Sequence, residues 1–179
     1  MGERYMSCLY DEYRKTADTY LEKQKEILQK WVARYDFEKV NQQYTYKVDD
    51  NADKKENTDM FIFCYRKLRF ALRIRPKCYS YTYGDITIRS RSQYGYETEI
   101  DKIRKGYGDY MLYCWTNSET EIDEYIIIDL DLFRKDMDKL MEKSSVSNFD
   151  GCTAFATFPI DRILHHPCCV VANLKTKPY

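Results

Sequence analysis

The run from Leu68 to Arg75 most restricts how this chain can fold, because apolar side chains alternate along it with basic or small ones. Side chains of a β-strand point in turn to opposite faces of the sheet. The run therefore predicts a strand with one apolar face and one basic face. Pro76 would end the strand, since proline has no backbone N–H to donate to a neighbour. The basic face holds Arg69, Arg73 and Arg75.

A second alternating run, Asp85 to Arg91, follows a turn at Gly84. It predicts another strand, with isoleucines on one face and polar or basic side chains on the other. We expect the two strands to carry the basic surface of the protein together. The polar face of the second strand holds Thr87, Arg89 and Arg91.

Periodicity elsewhere predicts helices. From Tyr5 to Tyr35 apolar residues recur at steps of three or four, which is typical of a long amphipathic helix. Glu97–Lys105 predicts a short helix with Thr98 or Gln93 as its N-cap. Asp131–Lys143 predicts a charged amphipathic helix, which we expect to lie away from the basic strands.

The remaining segments predict further strands and the loops between them. Together they indicate a single domain, residues 1–179, of the α/β class, with a mixed central sheet flanked by helices. Strands are predicted at Gln43–Val48, Met60–Tyr65, Tyr110–Trp115, Glu124–Leu130, Thr153–Phe158 and Cys168–Ala172, and loops at Asp49–Thr58 and Ser144–Gly151.

The formal net charge of zero hides two opposed blocks. Arg66–Lys105 holds eleven basic residues against four acidic ones, a net charge of +7. Thr116–Asp150 holds four basic residues against ten acidic ones, a net charge of −6. Two interpretations stay open: solvated surfaces that happen to differ in sign, or a basic sheet that faces a polyanion.

The basic block is also rich in tyrosine, and Tyr79, Tyr81 and Tyr83 lie within it. Aromatic side chains among arginines can stack on unpaired bases. They can equally pack on a sheet with their hydroxyl groups in water. The sequence leaves both possibilities open.

Apolar runs and cysteines bear on the compartment. The longest apolar runs are strand-sized, well short of the roughly 20 residues of a membrane helix, so no membrane partner is expected. The seven cysteines are odd in number and show no framework spacing. We therefore expect a cytoplasmic protein, since the cytosol keeps thiols reduced.

Both histidines, His165 and His166, precede the pair Cys168 and Cys169. Adjacent residues of an extended chain point to opposite sides, which disfavours one tetrahedral zinc site. No local signature of a cysteine nucleophile accompanies them. The role of this group stays open at the level of sequence.

Four segments together resemble phage-type proteins of the PD-(D/E)xK, or restriction-endonuclease-like, class: Asp85–Arg91, Glu97–Ile103, Gly106–Tyr110 and Tyr125–Arg134. The resemblance implies that fold. It also implies that the partner is DNA, RNA or a protein–nucleic-acid complex. One role of this kind is that of a phage factor that interferes with host defence in the bacterial cytoplasm.

Nucleases of this class hold Mg²⁺ with an Asp at the start of one strand and an acid-x-Lys pair on the next. Carboxylate oxygens suit Mg²⁺, and the lysine offsets negative charge that develops at the phosphate. Asp59 is similar to the first Asp, but the pair falls at Ala71-Leu72-Arg73. Ala71 cannot bind a metal, and Arg73 cannot give up a proton.

Other acids could replace the missing one. Asp85 opens the next strand, and Glu97 or Glu99 could supply the acid from the helix, with Lys102 three residues after Glu99 on the same helical face. The candidate catalytic set is therefore Asp59, Asp85, Glu99 and Lys102, with Asp59, Asp85 and Glu99 as the metal ligands.

Two functions follow. In the first, the protein binds a phosphate backbone through its basic strands and catalysis is not assured. In the alternative, it is a Mg²⁺-dependent endonuclease that hydrolyses DNA phosphodiester bonds. The predicted phosphate contacts are common to both: Arg69, Arg73, Arg75, Arg89 and Arg91.

Overall fold

The computed structural model describes residues 20–32, 45–48, 60–63, 67–76, 84–92, 95–116, 121–148 and 152–175. Helix α1 covers residues 20–32. The other elements, in chain order, are β1 (Thr45–Val48), β2 (Met60–Phe63), β3 (Lys67–Pro76), β4 (Asp85–Ser92), α2 (Glu99–Arg104), β5 (Tyr110–Thr116), β6 (Glu124–Asp129), α3 (Leu130–Leu140), β7 (Lys143–Ser147), β8 (Thr153–Pro159), α4 (Ile160–Leu164) and β9 (Cys169–Asn173).

The larger sheet has six strands in the order β1-β2-β3-β5-β6-β9. Its central pair, β3 and β5, is parallel, and the other neighbours run antiparallel. A parallel pair needs a long crossover connection. Here β4 and α2 supply it. The α/β class predicted from the sequence is confirmed, and the central sheet is mixed as expected.

The smaller sheet has three antiparallel strands in the order β4-β8-β7. Simple alternation could not show that β4 leaves the central sheet, because its strand partner, β8, is distant in sequence. β3 and β4, which we expected to carry the basic surface together, belong to different sheets. Ser144–Ser147 was expected in a loop and instead lies in β7, which pairs through its backbone although all five of its residues are exposed.

One core lies between α1 and one face of the larger sheet. Leu28 and Trp31 of α1 pack there with Phe70 of β3, Leu112 of β5 and Ile127 of β6. Phe70 is fully buried and meets the ring of Trp31 edge-on, with centroids 5.9 Å apart. The apolar face predicted for Leu68–Arg75 is therefore the face that packs on α1.

A second core lies on the opposite face of the larger sheet. The smaller sheet contributes Ile88 and Phe158, α2 contributes Ile103, and α3 contributes Phe133. Met111, the neighbour of Leu112 on β5, points into this core rather than the first. The central strands thus supply alternate residues to two cores, which fixes their register because a slip by one residue would exchange the faces.

The helix caps explain where α2 and α3 begin. Thr98 caps α2 as expected, in a reciprocal capping box with Asp101. The hydrogen bond from the Thr98 side chain lowers the pKa of Asp101. Asp129 caps α3 by accepting from the N–H groups of Asp131 and Leu132, so α3 begins at Leu130 and ends at Leu140, earlier than predicted at both ends.

Several predictions concern residues outside the described ranges. The long helix from Tyr5 to Tyr35 is confirmed for residues 20–32. The loop Asp49–Thr58, Asp59, and the tyrosines Tyr79, Tyr81 and Tyr83 lie outside. Across the ranges that are described, none of the helices has the length and apolar character needed to cross a membrane.

Candidate nucleic-acid interface

The arginine face of β3 points to the second core, and acidic side chains meet it there. Arg69 binds Asp109, which precedes β5: its Nη2 lies 2.9 Å from Oδ1, and its backbone N–H donates to Oδ2 at 2.8 Å. The two side chains are about equally half-buried. Arg69 therefore fixes the turn before β5 as well as carrying charge.

Arg73 is held more deeply, by the first residue of α2. Its Nε donates to Oε1 of Glu99 at 2.7 Å, and its Nη2 donates to Oε2. The Glu99 side chain is only 4% exposed, against 34% for Arg73. A two-pronged contact of this kind uses both oxygens of the carboxylate. Glu99 Oε2 also faces the backbone N–H of Arg89, at 3.5 Å.

Arg75, at the end of β3, contacts the smaller sheet and also lies near Asp85 of β4, whose charged form it favours. Its guanidinium carbon lies 5.0 Å from the centroid of the Phe155 ring on β8. The negative face of an aromatic ring attracts a cation at this distance. Arg75 and Phe155 thus connect the two sheets.

Strand β4 forms one edge of the smaller sheet, and side chains of other elements satisfy it. The Thr87 N–H donates to the hydroxyl oxygen of Tyr113, on β5, at 3.2 Å, and the Arg89 N–H faces Glu99. An edge strand with unpaired N–H groups would invite another strand. Tyr113 and Glu99 therefore dock the edge of β4 onto the larger sheet.

We define the outer face as the side of the smaller sheet opposite its core residues Ile86, Ile88, Ala156 and Phe158. Residues directly opposed in an antiparallel pair share a face. Arg89 is opposite Phe155, which is opposite Val146 of β7. One row across the three strands therefore carries a cation, an aromatic ring and an exposed apolar side chain. The next row holds Thr87, Thr157 and Lys143, of which Thr157 is only 5% exposed.

The two exposed arginines of β4 do not share a face as predicted. A bulge between Arg89 and Arg91 shifts the register and sets Arg91 opposite Ala154, which is fully buried. Arg91 is nevertheless exposed, near the end of the strand. The bulge was missed because it breaks the period of two on which the prediction depended.

Asp85 lies at the opposite end of β4, half-buried, with Arg75, Glu142 and Lys143 around it. Burial raises the pKa of its carboxyl group, with Arg75 and Lys143 lowering it and Glu142 raising it further. Four residues of strand separate Asp85 from Arg89, about 13 Å at 3.3 Å per residue. Asp85 and Glu99 therefore do not converge on one point.

Two of the three candidate metal ligands, Asp85 and Glu99, are therefore not grouped around one point. Both oxygens of Glu99 are bound by Arg73, and Asp59 lies outside the described ranges. Lys102 lies half-buried on α2, one turn after Glu99. Within the residues that the structure describes, no three His, Cys, Asp or Glu side chains are grouped so that they could hold a metal ion.

The histidine and cysteine group lies in the connection between α4 and β9. His166 Nδ1 accepts from the Cys168 N–H at 3.1 Å, and its Nε2 lies 3.4 Å from an Asp136 oxygen. His165 Nδ1 donates to the Asp161 carbonyl at 2.8 Å. Burial raises the pKa of Cys168 to about 12, so its thiol stays protonated.

Phe155 and Tyr113 are the residues of this region that sequence reasoning missed. Phe155 has threonines two positions away on either side, a pattern typical of the solvent-facing side of a strand, and the intervening Ala154 and Ala156 face the core. That pattern could have identified it. No sequence signal links Tyr113 to Thr87.

In comparisons with models of protein families and with curated proteins, the chain matches none.

Proposed function

We propose that this chain is a nucleic-acid-associated protein of restriction-endonuclease-like fold that binds a phosphate backbone without hydrolysing it. The observation that carries the proposal is the state of the two β4 arginines. Arg89 and Arg91 are exposed, and among the described residues their side chains form no ion pair. Guanidinium groups in this state are suited to phosphate, which they can bind with two parallel hydrogen bonds.

The β3 arginines have a different part in this proposal. Arg69 and Arg73 are bound by Asp109 and Glu99, so a phosphate would have to displace a carboxylate from either of them. We therefore assign the phosphate contacts of the described residues to Arg89 and Arg91, and Arg75 lies over Phe155, the residue opposite Arg89. Arg69 and Arg73 hold the turn before β5 and the start of α2.

We propose the restriction-endonuclease-like fold from the resemblance and from the arrangement of β2 and β3. The resemblance implies an Asp before one strand and an acid-x-Lys pair on the next. Here β2 and β3 are adjacent antiparallel strands, with Met60 opposite Phe70. Ala71 occupies the acid position and is buried, and Arg73 occupies the lysine position and is bound to Glu99. These two substitutions favour binding over hydrolysis.

The salt dependence of binding tests the proposal. We expect the wild type to bind DNA or RNA oligonucleotides with an affinity that falls as salt rises, because phosphate contacts release counterions. Replacing both arginines, Arg89→Gln with Arg91→Gln, should reduce the slope of log K against log salt by about 1.4 to 1.8, at about 0.7 to 0.9 for each contact.

A matched control removes a cation elsewhere. Lys139→Gln, on α3, changes a side chain that is 83% exposed and paired with Asp136, and it should leave the slope unchanged. Absence of binding to DNA and RNA, or an equal effect of the control, would overturn the proposal. Cleavage of the bound strand in Mg²⁺ would overturn its non-hydrolytic part and support the endonuclease instead.

A further inference from the structure

The row of side chains across the outer face has a composition that phosphate binding alone does not explain. Phe155 lies at its centre, half-buried, with Arg89 opposite it on one strand and Val146 opposite it on the other. Val146 is 40% exposed. An apolar pair in the middle of an otherwise polar sheet face indicates a ligand with an apolar surface of its own.

Arg75 adds a second flat group to the same place. Its guanidinium lies over the Phe155 ring and reaches there from the other sheet. A guanidinium is planar, and bases stack on guanidinium planes as well as on aromatic rings. Because the Phe155 ring already holds it in position, little side-chain freedom remains to be lost on binding.

We propose that the Arg75–Phe155 pair is a stacking platform for an unpaired base, so that the preferred ligand is a single-stranded nucleic acid. This inference rests on the proposed function and specifies its substrate class. Arg89, in the same row, would bind the phosphate next to the stacked base. A duplex keeps its bases paired inside the helix, so its phosphates could reach Arg89 but its bases could not reach a platform on a sheet.

The charges of the outer face limit where the strand can lie. Asp85, four residues along β4 from Arg89, and its neighbour Glu142 would repel phosphates, while Arg75 and Lys143 offset part of the charge of Asp85. The Arg89 end has no acidic side chain in its cross-strand row. The single strand therefore crosses the sheet along the row of Arg89, Phe155 and Val146.

Two substitutions separate stacking from charge. Arg75→Lys keeps the positive charge but removes the plane, and Phe155→Leu keeps apolar bulk but removes the ring. We expect each to weaken binding of a short oligothymidine by about 5-fold or more, the lower end of measured base stacking. Binding of a duplex of the same length should change by less than about 2-fold, because its phosphate contacts remain.

An abasic strand provides the complementary probe. It keeps the phosphates and lacks the bases, so the wild type should bind it as weakly as the Phe155→Leu variant binds the normal strand. Circular dichroism and thermal melting are used to check that both variants are folded. Arg75→Lys leaves the second core untouched and keeps the test valid if Phe155→Leu unfolds.

The outcomes distinguish this inference from the function on which it rests. If neither single strands nor duplexes bind, or if Arg89→Gln leaves both unaffected, the proposed function fails. If Arg89→Gln weakens both ligands while Arg75→Lys and Phe155→Leu weaken neither selectively, only the stacking platform is overturned. Selective loss of single-strand binding supports it.

Discussion

Asp85 shows how one side chain makes the stability of this protein depend on pH. Its pKa is raised in the folded chain above the ordinary 3.8, first by burial and then by Glu142. A raised acid pKa means that the ionised form is disfavoured by folding. The stabilising contribution is therefore complete below the unfolded pKa and is lost as pH rises through the folded pKa.

Asp85→Asn should consequently raise the free energy of unfolding at pH 7, because it removes a charge that folding disfavours. The gain over the wild type should shrink and disappear as pH falls below about 3.8, where both forms are neutral. Urea unfolding at a series of pH values measures this. Asp161→Asn is the control, since that side chain is 87% exposed and its loss should matter by less than about 0.5 kcal/mol.

Glu99 connects three elements, since it begins α2, binds Arg73 of β3 and faces the N–H of Arg89 on β4. Glu99→Gln keeps the size but removes the charge and one acceptor. We expect it to cost about 1 to 3 kcal/mol, the cost of a polar group left poorly paired. Urea unfolding gives the total, and faster amide exchange at Arg89 would locate the loss at the β4 edge.

Glu97→Gln is the matched control for this substitution. Glu97 pairs with Lys105, whose side chain is 64% exposed, and exposed pairs contribute little to stability because water and salt screen them. An equal loss in the two variants would show that Glu99 does not hold the elements together.

Most elements could be predicted from local pattern, and their assembly could not. The run Leu68–Arg75 matches β3 to within one residue at each end, because one face of the strand is buried and the other polar. β7 was missed since Lys143–Ser147 is exposed throughout and has no apolar period. The acidic partners of the arginines were missed for another reason, since Asp109 and Glu99 are distant in sequence from Arg69 and Arg73.

At the scale of the whole molecule, the larger sheet joins two cores, and each contains one of the two tryptophans. Trp31 lies in the core with α1, and Trp115 lies in the core with the smaller sheet. Both are buried, at 7% and 1% exposure. Because β3, β5 and β6 supply residues to both cores, we expect the chain to unfold as one unit.

The variants Trp31→Phe and Trp115→Phe each leave one reporter. In both variants the fluorescence transition in urea should coincide with the transition in far-ultraviolet circular dichroism. A midpoint reported by Trp31 that clearly precedes the one reported by Trp115 would instead show two units, contrary to the single domain predicted from the sequence.

The pairing of β4 with β8 also sets an order of assembly. β8 is synthesised only after β5, β6, α3 and β7, so β4 cannot pair with it until most of the chain has been made. Contacts between distant segments are the slow ones in folding. On a ribosome, the surface that carries Arg89 and Phe155 can therefore form only after Thr153–Pro159 has been synthesised, and a chain shortened before Thr153 cannot form it.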